Sequence, residues 1–280
     1  VGVRKGFDKN YRKWFLADVL AAIKKYAMIE PGQPVCVALS GGKDSIVLLH
    51  ILWLVNRYTW LKFDLSALHV RTAVYDTVVL RKFAATLGVP YREVLLDRSA
   101  MPLGEVMEEG DLRQGDGAVL RPPSNRDQPV EIKNRCYICS RLKRGAISAA
   151  LGEKSIRKVA YGHHADDAAQ TLFMNILYNG KLGSFCPKVG YDDNPMEVIR
   201  PLVYLSEATV AKIHGHMGLP LLDYRCPHEQ KNVRAQVKGA LGRMDDLFRT
   251  RGFSQKVVAA LENVDNTNLW QPLKHFPDDR

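Results

Sequence analysis

The sequence predicts an α/β fold: a parallel sheet of about five strands covered by helices on both faces, with helical extensions at the N and C termini. Three observations predict it. Short apolar runs alternate with segments whose apolar residues recur at helical spacing, the pattern of successive β–α units. The runs are continuously apolar, as in strands buried on both faces. The longest apolar stretch, Ile46 to Val55, is broken by His50 and falls short of the roughly 18 residues that span a bilayer, so no membrane segment is expected. At 280 residues, with 46% hydrophobic and 25% charged side chains, the chain has the size and composition of an ordinary globular protein.

Taken in order, Asn10 to Met28 places Phe15, Val19, Ile23 and Tyr26 on one helical face, and Pro31, Gly32 and Pro34 end it. Residues 1–30 are thus an N-terminal basic helix. Residues 31–224 form the central α/β domain. It opens with a strand at Val35 to Leu39, then a helix from about Lys43 with Ile46, Leu49 and Trp53 inward. A strand at Phe63 to Val70, a helix at Asp76 to Leu87 and a strand at Tyr91 to Leu96 follow. Residues 97–134, with four Gly, four Pro and more acids than bases, interrupt the rhythm as a lid-like insertion. The alternation resumes with a helix at Tyr137 to Leu151, a strand at Ile156 to Tyr161 and a helix at Ala165 to Tyr178. A loop at Lys181 to Pro195, a strand at Val198 to Leu202 and a helix at Glu207 to Met217 complete the domain. Residues 225–280 form a C-terminal basic helical extension, with helices at 228–250 and Gln255 to Asn263.

Forty Lys and Arg against thirty Asp and Glu give a net charge of +10. The excess collects at the two ends: seven basic residues against two acids in 1–25, and eight against three in 225–256. Solvated helix faces would explain this, as would a polyanion footprint divided between the chain ends.

Ser40-Gly41-Gly42-Lys43-Asp44-Ser45 lies between an apolar strand ending at Leu39 and an apolar helix. Two glycines let successive backbone N–H groups turn toward an anion, and the helix N-terminus adds positive potential. Ser40, Lys43 and Ser45 can hydrogen-bond phosphate oxygens, and Asp44 can hold Mg²⁺ or fix the loop. Neither the Walker spacing nor the dinucleotide-binding glycine spacing is present. A tight strand-to-helix turn of small residues is the bland alternative.

Five cysteines are odd in number and too few for a disulfide framework at this length, which predicts a cytoplasmic protein. Cys136-x-x-Cys139 opens a helix, where the positive end favours thiolate, and Cys226 is a third candidate. Three thiolates can bind an iron–sulfur cluster with one iron left open. Structural zinc, with His228 as a fourth ligand, and a thioredoxin-like dithiol are the competing readings. Cys36 belongs to a central strand as a small hydrophobe, and Cys186 lies in the 181–195 loop as a packing residue or an extra thiol. Lys143, one turn after Cys139, shares its face and is either a surface lysine or a stabiliser of developing oxyanion charge. Asp166 and Asp167 open the helix after the Ile156 strand, where carboxylates suit the dipole. N-capping explains one of them, which leaves the other for Mg²⁺ or substrate.

The strand–SGGKDS–helix unit resembles the PP-loop of the N-type ATP pyrophosphatases, Rossmann-like enzymes that split ATP between its α- and β-phosphates. Together with CYICSRLKRG (136–145), GHHADDAAQTLFMNILYNGK (162–181), PKVGYDD (187–193) and IRPL (199–202), it resembles the TtcA-like tRNA-cytidine 2-thiolation family over most of the chain. The resemblance implies ATP on residues Leu39 to Ser45 with His69, Gly162 and His163, and Mg²⁺. It implies a [4Fe–4S] cluster on Cys136, Cys139 and Cys226, and catalytic roles for Asp44, Lys143, Asp166 and Asp167. The reaction implied is adenylation of the C2 oxygen of an anticodon-loop cytidine, at position 32, and its replacement by sulfur. The partners implied are tRNA, held by Lys9, Arg12, Lys13, Lys231, Arg234 and Lys238, and a cysteine desulfurase or other sulfur donor. A homodimer would extend the basic surface. The alternatives are uridine thiolation, a ligase of the lysidine-synthetase type, and a non-catalytic RNA-binding protein with a structural metal.

Overall fold

The computed structural model describes residues 10–72, 75–96, 135–152, 156–191, 194–223, 233–250, 252–265 and 269. A π-helical turn, Arg12–Leu16, leads into α1 (Ala17–Lys25), followed by β1 (Pro34–Ala38), α2 (Lys43–Tyr58), β2 (Asp64–Arg71), α3 (Val78–Leu87) and β3 (Tyr91–Leu95). The second half contributes α4 (Arg135–Gly152), β4 (Lys158–Ala160), α5 (Ala165–Asn179), β5 (Lys188–Tyr191) and β6 (Asn194–Ile199). Three helices close it: α6 (Glu207–Met217), α7 (Val233–Phe248) and α8 (Phe253–Glu262). The expected 97–134 insertion lies outside the described residues.

The six strands run in the order β3-β2-β1-β4-β6-β5. Five are mutually parallel, with Val35 of β1 opposite Leu65 of β2 and Lys158 of β4. β5 is antiparallel to β6. This sixth strand corrects the expectation of a loop over Lys181 to Pro195, and β6 ends at Ile199 instead of running from Val198 to Leu202. Pro187, Gly190 and Pro195 read as breakers. Pro187 lies just before β5, and this edge strand tolerates Gly190 because one side needs no ladder partner. Pro195 precedes the first β6 residue paired to β4, Glu197.

Side-chain alternation along β1 divides the core. Val35 and Val37 pack with Phe15, Val19 and Ile23 of the N-terminal helix and with the buried sides of α2, α3 and α6. Cys36 and Ala38 face the opposite way, onto Ile147, Ala150 and Leu151 of α4. Both faces of the sheet are therefore covered. A third apolar cluster joins Ala169 and Leu172 of α5 to Val237 and Leu241 of α7 and Val257 of α8. The chain ends are tied together by Glu262, which accepts the Tyr26 and Tyr204 hydroxyls and pairs with Lys25 at 2.9 Å.

His50 lies in the middle of α2, fully buried and stacked on Trp53 with ring centroids 5.8 Å apart. Neither ring nitrogen has a hydrogen-bond partner among the described residues. Burial pulls its pKa down to about 4, so it is neutral in the folded protein. Among the described residues, no helix is long and apolar enough to cross a membrane.

Candidate active site

The strand order reverses beside β1, whose neighbours are β2 on one side and β4 on the other, so the loops after β1 and β4 flank a crevice. The loop after β1 is Leu39 to Gly42. Gly41 has φ +88°, and a Cβ there would lie 2.6 Å from Leu222 Cβ. Only glycine meets both demands. Leu222 N–H donates to the Gly41 carbonyl at 3.0 Å, which fastens the 219–223 segment against the loop. Ser45 organises the turn: its hydroxyl donates to Gly42 O at 3.0 Å and accepts the Ser40 hydroxyl at 3.0 Å and the Gly41 N–H at 3.2 Å. α2 starts at Lys43 with extended backbone at Gly42, so its first-turn N–H groups, which have no intrahelical partner, can meet an anion there.

The loop after β4 approaches from the other side. A Cβ on Gly162 would stand 2.8 Å from the Asp44 carbonyl carbon, so the two loops meet backbone to backbone. The His163 ring packs at a tilt against Phe185, centroids 5.2 Å apart, and accepts Arg200 Nε–H through Nδ1 at 3.3 Å. Burial, reinforced by the Arg200 guanidinium, pulls its pKa down to about 4 and keeps it neutral. The buried His164 ring lies 3.6 to 3.8 Å from Asp44, Asp166 and Asp167.

Both aspartates of α5 do structural work. Asp167 accepts the His164 N–H at 3.0 Å, closing the helix start, and pairs with Arg234 of α7 at 3.1 Å. Burial raises its pKa, but its His164 neighbour and the Arg234 guanidinium outweigh that, and the carboxyl stays below the usual range. Asp166 accepts the Glu207 N–H at 2.7 Å and the Ser254 hydroxyl at 2.9 Å, docking α6 and α8 on α5. Glu207 was not singled out by the sequence reading. It pairs with Lys238 at 2.7 Å and stands 3.8 Å from Lys43, which also contacts Asp44. Arg234 and Lys238, expected on tRNA, are thus partnered inside the molecule by carboxylates of the site. Arg200, buried beneath the loop after β4 with its guanidinium 4.8 Å from the Phe185 ring centroid, was likewise missed.

On the other face, α4 carries Cys136 and Cys139 on its first turn. Cys139 is a half-buried free thiol, and the Cys136 side chain lies outside the described residues. Lys143 is half-buried on the same helix, close enough to His69 for its charge to act there. His69 bonds the Leu39 carbonyl through Nδ1 at 2.6 Å and the Tyr75 hydroxyl through Nε2 at 3.1 Å. Burial, aided by charges that include Lys143, holds its pKa below the ordinary histidine value. It therefore braces the end of β1, where the phosphate loop starts. Cys186 is exposed, and its backbone carbonyl accepts from Arg200. Lys13 is exposed on the N-terminal turn, whereas the Arg12 side chain, Lys9, Lys231 and Cys226 lie outside the described residues. Among the described residues, no three His, Cys, Asp or Glu side chains are grouped as a metal site.

No protein-family model matches the chain. It is 33% identical over 264 residues to the tRNA-cytidine(32) 2-sulfurtransferase of Dechloromonas aromatica, covering 93% of this chain and 83% of that protein. The enzyme of the same name from Cellvibrio japonicus is 33% identical over 252 residues, 89% of this chain and 75% of its own length. Among solved structures, the U34-tRNA thiolase NcsA from Methanococcus maripaludis with its [4Fe-4S] cluster matches with a TM-score of 0.64 at 20% identity, covering 90% of this chain and 78% of that one. At that identity the match speaks for the fold alone.

Proposed function

This chain belongs to the tRNA-cytidine(32) 2-sulfurtransferase family, and from that premise we propose that it replaces the C2 oxygen of an anticodon-loop cytidine, at position 32, with sulfur in a reaction driven by ATP. The observation that carries this reading is the phosphate loop: Gly41 at φ +88° and the first turn of α2 open onto the crevice between β1 and β4. The N–H groups of that turn and Lys43 hold the ATP phosphates. Asp44, half-exposed at the loop, binds Mg²⁺ together with those phosphates, the usual one-carboxylate mode of this ion.

The chemistry balances as two displacements. The C2 oxygen attacks the α-phosphorus and pyrophosphate leaves. Hydrosulfide then adds at C2 and gives up its proton, the C–O bond breaks, and AMP departs with the original oxygen. Adenylation is needed because an amide-like oxygen is a poor leaving group. Lys143 faces the charge that builds on the oxygen as the C–O bond breaks and AMP leaves. The thiols of Cys136 and Cys139, three residues apart at a positive helix end, suit a [4Fe–4S] cluster, with Cys226 as third ligand. Such a cluster supplies an iron with no protein ligand at which sulfur can be delivered. Lys9, Arg12, Lys13 and Lys231 grip the tRNA backbone, and the target base is splayed from its single-stranded loop. A cysteine desulfurase or other donor supplies the sulfur in a reducing cytoplasm, and a homodimer would join two basic surfaces.

The test is nucleoside mass spectrometry of tRNA incubated with anaerobically reconstituted protein, ATP, Mg²⁺, sulfide and free lysine. The expected product is 2-thiocytidine at position 32, dependent on ATP and accompanied by AMP and pyrophosphate. Thiouridine would favour the uridine reading. ATP cleavage with a lysine adduct and no thionucleoside would favour the ligase.

A further inference from the structure

Glu207 sits where the first turn of α6 meets the phosphate loop. Its backbone N–H is fixed by Asp166 at 2.7 Å. Its carboxylate takes Lys238 Nζ at 2.8 Å on one oxygen and 2.7 Å on the other, with Lys43 Nζ 3.8 Å away. One negative charge is therefore shared by two ammonium groups, one from the phosphate loop and one from α7. Burial raises the Glu207 pKa, but Lys238 and then Lys43 outweigh it, so the group is ionised at neutral pH.

Lys43 lies at the positive end of α2, where a cation without an anion is unfavourable. An internal carboxylate offsets that charge when the loop is empty, together with Asp44. Phosphate oxygens carry more charge than a carboxylate and are met by backbone donors as well, so they outcompete it for Lys43. Lys238 already holds Glu207 at hydrogen-bond distance. The displaced carboxylate is then never left unpaired, which is the costly outcome for a partly buried ion.

Building on the reading of this loop as the ATP phosphate site, we propose that Glu207 is a positioning residue that occupies Lys43 while the loop is empty and is drawn off it by Lys238 when phosphates arrive. Lys238 thereby assists nucleotide binding through Glu207, without touching the nucleotide.

The experiment is calorimetric titration of α,β-methylene ATP with Mg²⁺ into four full-length proteins: wild type, Lys238→Met, Glu207→Gln and the double variant. Lys238→Met is expected to bind roughly threefold to fivefold more weakly, the range for partly exposed ion pairs. Glu207→Gln should bind at least as tightly as wild type, and Lys238→Met should have no further effect in its background. Lys238→Arg, which retains the pair, should behave as wild type. An equal loss from Lys238→Met in both backgrounds would mean simple long-range attraction and would overturn the proposal. So would weakened binding by Glu207→Gln, which would make the contact one that builds the loop. Absence of binding by the wild type would instead overturn the phosphate-site reading itself.

Discussion

A methyl group on Gly162 would stand 2.8 Å from the carbonyl carbon of Asp44 and 2.9 Å from its oxygen. The loop after β4 and the start of α2 are thus packed main chain against main chain, with no flexible side chain between them to yield. This contact fixes the width of the crevice in which the phosphate loop opens. Gly162→Ala must push the two loops apart, at about 1–3 kcal/mol for an overpacked site. We expect a lower melting temperature and about tenfold weaker binding of α,β-methylene ATP, since a small misplacement at such a site has a large effect. Unchanged values of both would show that the contact relaxes without consequence.

The aspartates of the crevice should separate into two kinds. Among the described residues, Asp44 pairs with Lys43 and, at 3.8 Å, His164. Asp44→Ala should leave the melting temperature within a degree or two, because such half-exposed pairs contribute about 0–1 kcal/mol. Pyrophosphate release in the presence of tRNA should nonetheless fall about a hundredfold or more.

Asp166 should do the reverse. Its carboxylate receives the Glu207 N–H and the Ser254 hydroxyl, fastening α6 and α8 to α5. Hydrogen bonds to a charged acceptor contribute about 1.5–3 kcal/mol. Asp166→Ala should therefore lower the thermal midpoint by several degrees while residual pyrophosphate release persists below it. Full stability with no turnover would instead place Asp166 on the metal or the substrate.

The elements near the phosphate loop were legible because local chemistry specifies them. Ser40 to Ser45 needs glycine where φ is positive and small polar residues where the turn closes, and both are visible as letters. The β5 strand was not legible, since Lys188 to Tyr191 is four residues long with a lysine and a glycine among them, and its ladder is to β6 alone among the described residues. The same holds for Glu207. Nothing near it in sequence tells that α6 begins beside Lys43, because that proximity is created by the β4–β6 pairing and by Asp166. Arg234 and Lys238 read as charges of a basic surface, and only the fold tells that Asp167 and Glu207 come within reach of them as partners.

Stability should depend on pH in a window that the histidines define. His50 and His163 are held neutral, each with a pKa of about 4 against an ordinary value of 6.5. Between those values the unfolded chain binds more protons than the folded one, so stability is complete above pH 6.5 and falls as pH drops toward 4. The partly buried carboxylates with lowered pKa, such as Asp167 and Glu207, lose their contributions only below the ordinary carboxylate range. Melting temperatures measured from pH 7 to pH 4.5 should therefore decline, and His50→Leu should flatten part of that decline. A curve equally steep in His50→Leu would remove His50 as a contributor.

The cysteines make a prediction that does not depend on turnover. Cys136 and Cys139 occupy the first turn of α4, whereas Cys36 is buried in β1, where burial raises its pKa to about 11 and keeps it a thiol. Cys186 is exposed in the loop before β5. Anaerobically purified protein should contain about four irons and four sulfides per chain. Cys139→Ala and Cys226→Ala should each abolish both, while Cys186→Ala should retain them. Zinc in place of iron, lost with the same two cysteines, would make the centre structural and move sulfur delivery to an exposed thiol such as Cys186. Iron lost with Cys186 and retained without Cys226 would exchange the third ligand and place the cluster beside the Arg200 loop instead of the C-terminal segment.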